Sequence, residues 1–434
     1  MNKKELLKTI IVDYQSAKLP KIWQRTLRIP VDSGKIITLA GVRRSGKTYH
    51  IFNLIKQLKK RGMPDRQVLY LNFEDERLKL TTEEIDLILQ AYRELYPNMN
   101  LAACYFFFDE IQELAGWEKF IARLYNSVSK HIFITGSNAT LLSREIATAL
   151  RGRTITFEVY PLSFREFVQI LKPGLDPYRS QDKARMVSLF EQFLQQGGFP
   201  ELIGKDEQLQ NKILQEYFNV MVLRDLIERY HISQAAILKY FCKRTVAGTG
   251  GEFSTHKIYN ELKSQGYKVS KDTVYAWEDY VDAIYLARFV PKYATSIVKT
   301  ALAQKKIYVI DQGLGVSLDF KLAQDKGRLL ETIVALELVK QGEQIAWVGN
   351  GSECDFVVIE KGEVRRPVQV AWELNEEQTK NRELKGLIQT CQKFNLPNGT
   401  LITFNESQEL KNKGIAIKII PAWQYFLQPI QTSS

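Results

Sequence analysis

Gly41, Gly46, Lys47 and Thr48 stand in the pattern G-x4-G-K-T within "KIITLAGVRRSGKTYHIFNLIKQLKKRG". Each residue type has a task toward a polyphosphate. The glycines let backbone N–H groups close around phosphate oxygens, and Arg44 and Ser45 complete the loop. The Lys47 ammonium reaches β- and γ-phosphates, and the Thr48 hydroxyl ligates Mg²⁺. Such a loop needs an acid nearby, and "LAACYFFFDEIQEL" supplies Asp109 and Glu110 behind an apolar run. Asp109 is placed to hold Mg²⁺ through water, and Glu110 to polarise an attacking water. An acid pair there can also be a helix cap, but the phosphate loop upstream favours the catalytic role. The chemistry implied is Mg²⁺-dependent ATP hydrolysis, with ATP and Mg²⁺ as cofactors.

Other polar residues fall at useful places. Ser137 and Asn138 end the apolar run Ile132 to Thr135 and could orient the water or touch the γ-phosphate. Arg151 and Arg153 flank Gly152 at a distance that suits an arginine finger reaching a neighbouring copy's γ-phosphate. A surface ion pair is the plain alternative for either arginine. Glu74 and Asp75, after "VLYLN", read equally well as catalytic acids or as a loop and helix cap.

A second acidic set lies near the C-terminus. In "GSECDFVVIEKGEVRRPVQVAWEL", Glu353 and Asp355 alternate and so share one face of a strand. The helix "GRLLETIVALELVKQG" brings Glu331. Acids in this arrangement hold Mg²⁺ for phosphodiester cleavage, and a lysine on the next strand positions water or meets developing charge. The two places on that strand are taken by Gln369 and Ala371. A neutral amide replaces a ligand, and the lysine is missing. Lys380 or Lys385 on the following helix could replace it from another direction. The reading is a degenerate metal site of Glu331, Glu353, Asp355 and Gln369, with the nuclease fold kept and cleavage lost.

These residues need elements to hold them. Ile36 to Ala40, Val68 to Leu71, Tyr105 to Phe108 and Ile132 to Thr135 are short, continuous apolar runs, as expected of parallel strands buried on both faces. Thr48 to Leu58 is amphipathic and opens a helix directly at the phosphate loop, the context that gives the loop its meaning. Phe164 to Gln196 reads as helices, and "LQNKILQEYFNVMVLRDLIERYHI" as one long amphipathic helix carrying Arg224 and Arg229. Three further helices and a hairpin have the rhythm of a winged helix. The third starts with Lys268, Lys271 and Tyr275 but continues through Trp277, Glu278, Asp279 and Asp282, an ambivalent footprint for DNA. Helix, three strands, helix and strand then follow in the order of restriction-endonuclease-like folds.

The stretches "GVRRSGKT", "YLNFEDERL", "FFFDEIQEL", "ITGSNATLLS", "LRGR", "PLSFREF", "GGFPEL", "RDLIERY", "KIYVIDQGL" and "ECDFVV" together resemble a prokaryotic family of AAA-type P-loop ATPases. Its members carry a C-terminal restriction-endonuclease-like domain of unknown function. The resemblance implies an α/β chain divided into an ATPase core (1–163), a helical lid (164–231), a winged-helix domain (232–303) and a nuclease-like domain (304–434). It leaves the biological partner open. The leading expectation is a protein that couples ATP state to an interaction module. The rivals are an ATP-gated nuclease and an ATP-bound switch that does not hydrolyse.

Composition sets outer limits. The 434 residues carry 60 basic and 49 acidic side chains, a net charge of +11 spread along the chain. That suits a nucleic-acid partner without requiring one. Four cysteines and four histidines are scattered without metal-ligand spacing, which favours a reducing, cytoplasmic setting. No run of about 18 uncharged apolar residues suggests a membrane span, and "MNKKELLKTIIVDYQ" lacks the form of a signal peptide. The expected partners are ATP, then DNA or a protein, and further copies of the chain in an ATP-favoured homo-oligomer.

Overall fold

The computed structural model describes residues 2–137, 150, 152–176, 179–296, 299, 303–349 and 353–428. Asn138 and Arg151 lie outside the described residues. The chain forms two compact units, Met1–Tyr160 and Pro161–Ser434.

The first unit is built on five strands: β1 (Ile36–Ala40), β2 (Val68–Asn72), β3 (Tyr105–Asp109), β4 (Ile132–Gly136) and β5 (Thr154–Glu158). They run in the order β2-β3-β4-β1-β5, and every pairing is parallel. The apolar runs explain this directly, since β1, β3 and β4 are buried along their whole length. Helix Lys47–Lys60 buries Ile51, Leu54, Ile55 and Leu58, one stripe at helical spacing, in a core with Leu39, Tyr70, Phe107 and Phe133. Because the strands are parallel, the segments leaving β1, β3 and β4 emerge at one edge of the sheet. That edge gathers the loop at Gly41, the acids at Asp109 and the hydroxyl of Ser137.

The second unit begins with helices Phe164–Leu171, Ser180–Gln196 and Glu207–Val220. The long helix expected through Ile232 is instead α-helical to Val220 and π-helical over Met221–Glu228. The helical block expected as a lid shares its core with the C-terminal elements. Phe164, Phe167, Phe190 and Phe193 pack in one cluster with Leu330, Val334, Trp423 and Phe426. Helices Ala235–Ala247, Thr255–Ser264 and Lys271–Ala283 follow, the last two capped by Ser254 and Ser270. They accompany a three-stranded sheet of β6 (Glu252–Phe253), β7 (Ala287–Pro291) and β8 (Lys305–Val309) in the order β6-β8-β7. The expected division at 303/304 therefore separates β8 from the strands it pairs with.

The remaining strands are β9 (Gln344–Val348), β10 (Cys354–Glu360), β11 (Glu363–Val370), β12 (Asn398–Thr403), β13 (Gln408–Asn412) and β14 (Ile415–Pro421). The sheet order is β13-β14-β12-β11-β10-β9. β9, β10 and β11 are antiparallel neighbours, while β11, β12 and β14 are parallel. Helices Lys326–Lys340 and Glu377–Lys393 belong to this region. Glu353 lies just before β10 rather than on it, and the pairing of β10 with β9 shifts register between Cys354 and Val357. Strand β13, polar along most of its length, carried too little apolar signal to be anticipated.

Two sequence stretches lock together here. The Asp311 carboxylate accepts the Gly198 N–H at 2.7 Å and the Leu314 N–H at 3.1 Å. A Cβ on Gly197 would lie 2.0 Å from Asp311 Oδ1, and one on Gly313 would lie 2.2 Å from the Gln196 carbonyl oxygen. The glycines of "GGFPEL" and "KIYVIDQGL" are thus matched by close approach, and burial pushes the Asp311 carboxyl up.

Candidate active site

The phosphate loop is held open by backbone geometry. Arg44 (φ 66°) and Gly46 (φ 102°) adopt the left-handed region, the second at the N-cap of helix Lys47–Lys60. Gly41 tolerates no side chain, because a Cβ would stand 2.1 Å from the Val159 carbonyl oxygen. Lys47 is 4% exposed. Its ammonium donates to the carbonyl oxygens of Gly41 at 3.1 Å and Val42 at 3.3 Å and lies 3.4 Å from Glu110 Oε1. Arg43 pairs with Glu74 at 2.7 Å. Asp75 pairs with Arg77 and caps the turn that follows, which settles it as a cap. Arg44 is exposed.

The acid pair sits at the end of β3. Asp109 is fully buried and accepts from Tyr70 Oη at 2.9 Å and from Thr135 Oγ1. Burial pushes its carboxyl up, and the negative charge of Glu110 adds to this. Glu110 is left-handed (φ 49°), with its N–H on Thr135 Oγ1 at 2.9 Å and Gln112 Nε2 on its Oε2 at 2.6 Å. Burial alone would raise the Glu110 carboxyl, but Lys47, Gln112 and Arg43 outweigh it and hold it below the usual range. The two acids of the pair are thus pushed in opposite directions, Glu110 down and Asp109 up.

Two hydroxyls at this edge, Ser45 Oγ and Ser137 Oγ, are buried without a hydrogen-bond partner among the described residues. Buried polar groups are ordinarily paired, so orphaned hydroxyls beside the loop suit a ligand with many acceptor oxygens. Thr48, whose hydroxyl favours the charged form of Asp109, and Asp109 itself fit the hydroxyl and carboxylate sides of a Mg²⁺ site. Arg153 lies elsewhere. It precedes β5, and its carbonyl accepts the Ile36 N–H at 2.9 Å, at the sheet edge opposite the loop. Its guanidinium stands 5.9 Å from the Tyr125 ring centroid. Tyr70, Thr135 and Gln112 were not singled out from sequence; each merely continues or follows an apolar strand there.

The second acidic set lines a cavity of about 700 Å³ that includes Glu331, Glu353, Asp355, Gln369 and Glu383. Neither Lys380 nor Lys385 lines it. The lysine in it is Lys306, from β8, whose Nζ stands 2.8 Å from Glu331 Oε1 and 3.0 Å from Asp355 Oδ1. Tyr308, on the same face of β8, donates to Glu331 Oε1 at 2.7 Å. Gln369 Oε1 accepts the Asp355 N–H at 3.2 Å, and its Nε2 donates to Glu383 Oε2 at 2.5 Å. Burial and Asp355 hold the Glu331 carboxyl up, at about 7, against the opposing pull of Lys306. Burial disfavours the Lys306 ammonium, but the two carboxylates more than reverse this. Lys306 and Tyr308 are two apart in "KKIYVID", a spacing that marks one strand face but does not say what it meets.

Comparison with known proteins bears on the first site. A family model described as an AAA domain matches residues 33–168, which include the phosphate loop and the acid pair. A protein of Methanocaldococcus jannaschii is 35% identical, covering 98% of this chain and 96% of its own. A Haemophilus influenzae protein is 30% identical over 90% of this chain and 94% of its own. The chain belongs to the AAA-type P-loop ATPase family. Both relatives of this AAA-type ATPase are described only as uncharacterized proteins. A domain of unknown function (DUF8612) matches its residues 187–326. Among solved structures, a Walker-type ATPase of Pyrococcus abyssi covers 69% of the chain and 98% of its own at 16% identity, with a TM-score of 0.43. AMPPCP-bound DnaA from Aquifex aeolicus covers 65% and 95% at 16% identity, with a TM-score of 0.26. No described helix of the AAA-type ATPase is long and apolar enough to cross a membrane, and all four cysteines are free and buried.

Proposed function

We propose that this AAA-type ATPase binds ATP with Mg²⁺ at the phosphate loop and hydrolyses it. The reading rests above all on Glu110, held ionised 3.4 Å from Lys47 at the mouth of the loop. The backbone N–H groups from Gly41 to Thr48 cradle the phosphates. Lys47 exchanges its weak carbonyl contacts for phosphate oxygens, and the released Glu110 accepts the proton of the attacking water. Thr48 and Asp109 would hold Mg²⁺, which would supply positive charge against the phosphate oxygens. Ser45 and Ser137 supply hydroxyls to the same ligand, with Asn138 at the sensor position. Arg153, at the opposite sheet edge, reaches no phosphate on its own copy; with Arg151 it is offered to a second copy, which makes turnover depend on self-association.

The second unit is the effector. Three helices, the last two capped, with the sheet β6-β8-β7 support a winged-helix domain. Lys268, just before its third helix, and Lys271 and Tyr275 on that helix are exposed to solvent. Two of the acids that weakened the DNA reading are engaged inside the domain, Glu278 with Lys305 at 2.5 Å and Asp282 with Arg288 at 3.6 Å. Asp272 and Asp279 stay exposed. These observations favour DNA over a protein as the partner. The helix–β9–β10–β11–helix–β12 order supports a restriction-endonuclease-like domain, and the Gln369 and Ala371 substitutions support loss of cleavage. The proposal is tested by calorimetric ATP binding and phosphate release with and without Mg²⁺. Binding and Mg²⁺-dependent release in the wild type, both lost in Lys47→Ala, are expected; release unaltered in Lys47→Ala would overturn it.

A further inference from the structure

The C-terminal cavity does not offer a divalent ion what the sequence leads one to expect. Among the described residues, no three acidic, histidine or cysteine side chains are grouped to hold a metal. Three carboxylate oxygens that would face the ion are already engaged. Glu331 Oε1 accepts from Lys306 and Tyr308. Asp355 Oδ1 accepts from Lys306, and its Oδ2 accepts the Val370 N–H at 3.1 Å. The Gln369 carbonyl oxygen is turned onto the Asp355 N–H. What stands between the two carboxylates is an ammonium group, within 3.0 Å of both.

We propose that Lys306 is the resident cation of this cavity: its ammonium bridges Glu331 and Asp355 in the position of a divalent ion and keeps Mg²⁺ or Mn²⁺ from loading. The inference rests on the nuclease-like reading only for where an ion would sit. Charge explains why a cation is required. Glu252, Glu353, Glu373 and Glu376 also line the cavity, and Lys306 and Arg382 are its basic side chains. Buried carboxylates without a partner are costly, and a tethered ammonium supplies that partner with no ion uptake. Its origin matters too. Lys306 comes from β8, which pairs with β6 and β7, so the same contact fastens the three-stranded sheet to the acidic wall. An ammonium carries one charge and three donors, enough to join two carboxylates but not to activate a water as a divalent ion does.

The test is Mn²⁺ binding to the full chain without nucleotide, read by electron paramagnetic resonance, in wild type, Asp355→Asn, Lys306→Met and Lys306→Met/Asp355→Asn. In the wild type, Asp355→Asn should leave Mn²⁺ binding unchanged. Lys306→Met, with a neutral chain of similar length, should bind one additional Mn²⁺ per chain at least about tenfold tighter than the wild type, because two carboxylates then lack a counter-ion. Mn²⁺ should raise its thermal midpoint, and the double variant should lose both effects. A folded Lys306→Met without the extra ion overturns the proposal. Should Lys306→Met fail to fold even when refolded with Mn²⁺, the wild-type arm decides. Wild-type binding abolished by Asp355→Asn overturns the proposal, whereas unchanged binding supports it. Linear and supercoiled DNA incubated with the same samples separates the two readings. Wild-type cleavage lost in Asp355→Asn overturns loss of cleavage as well; Asp355-dependent binding without cleavage overturns only the resident cation.

Discussion

Lys47 and Lys306 are both lysines held among carboxylates, and they do opposite things. Lys47 rests on two backbone carbonyls at 3.1 and 3.3 Å and touches one acid at 3.4 Å. Lys306 is clasped by two acids at 2.8 and 3.0 Å. The first lysine lies beside orphaned hydroxyls and left-handed backbone, so its surroundings are incomplete without an anion. The second completes its own surroundings. Longer contacts to neutral acceptors are easily exchanged for a phosphate, whereas a bridged ammonium leaves two charges stranded if it departs. Acid–lysine sets of similar composition thus become a site for exchange or a structural clasp according to the partners that reach the lysine first.

The comparison predicts that the first site needs charge from outside the chain, and the largest effect should come from there. Replacing the true finger among Arg151 and Arg153 by alanine should lower ATP turnover by about 10³–10⁵-fold with ATP affinity kept. Mixing that variant with Lys47→Ala should restore part of the activity. Full turnover by a protein that sedimentation shows to be monomeric with ATP would break the idea of supply from a second copy.

Stability separates the two lysines next. Lys306→Met strands Glu331 and Asp355 and should cost about 3–5 kcal/mol in denaturant unfolding. Lys47→Ala gives up two carbonyl contacts and one longer pairing with Glu110, and should cost less, about 1–3 kcal/mol without nucleotide. Equal costs would erase the distinction between clasp and exchange site. The smallest effect concerns the second unit's outer face. Lys268→Glu with Lys271→Glu should weaken duplex DNA binding and lower the slope of log K against log salt by about 2. An unchanged slope would assign that face to a protein partner.

Much of the first site was legible because its parts are contiguous. The loop from Gly41 to Thr48 and the pair Asp109–Glu110 each lie in one short stretch, and β1, β3 and β4 announce themselves as unbroken apolar runs. Tyr70 and Thr135, which position Asp109, were not legible, since nothing local distinguishes a strand tyrosine that meets an acid from one that meets a neighbouring ring. In the second unit the succession along the chain of β9, β10, β11, a helix and β12 was legible from apolar runs and helical spacing, but not their order in the sheet. Lys306 was not legible either. It lies 25 residues before Glu331 and 49 before Asp355 along the chain, and only the folding of β8 onto the acidic wall brings the three together. Sequence neighbourhood points forward along the chain, to Lys380 and Lys385, neither of which lines the cavity. The π-helical turn at Met221–Glu228 was hidden for a related reason: its apolar spacing also satisfies an α-helix.

The central claim is that Glu110 is a working general base held in readiness by Lys47. Glu110→Gln changes one oxygen to an amide and leaves the loop, Thr48 and Asp109 as they are. ATP binding by calorimetry and phosphate release with Mg²⁺, measured on the same preparation, test the claim most directly. The account predicts ATP affinity within a few-fold of wild type and turnover lower by roughly 10²–10⁴-fold. Hydrolysis at the wild-type rate by Glu110→Gln would contradict it.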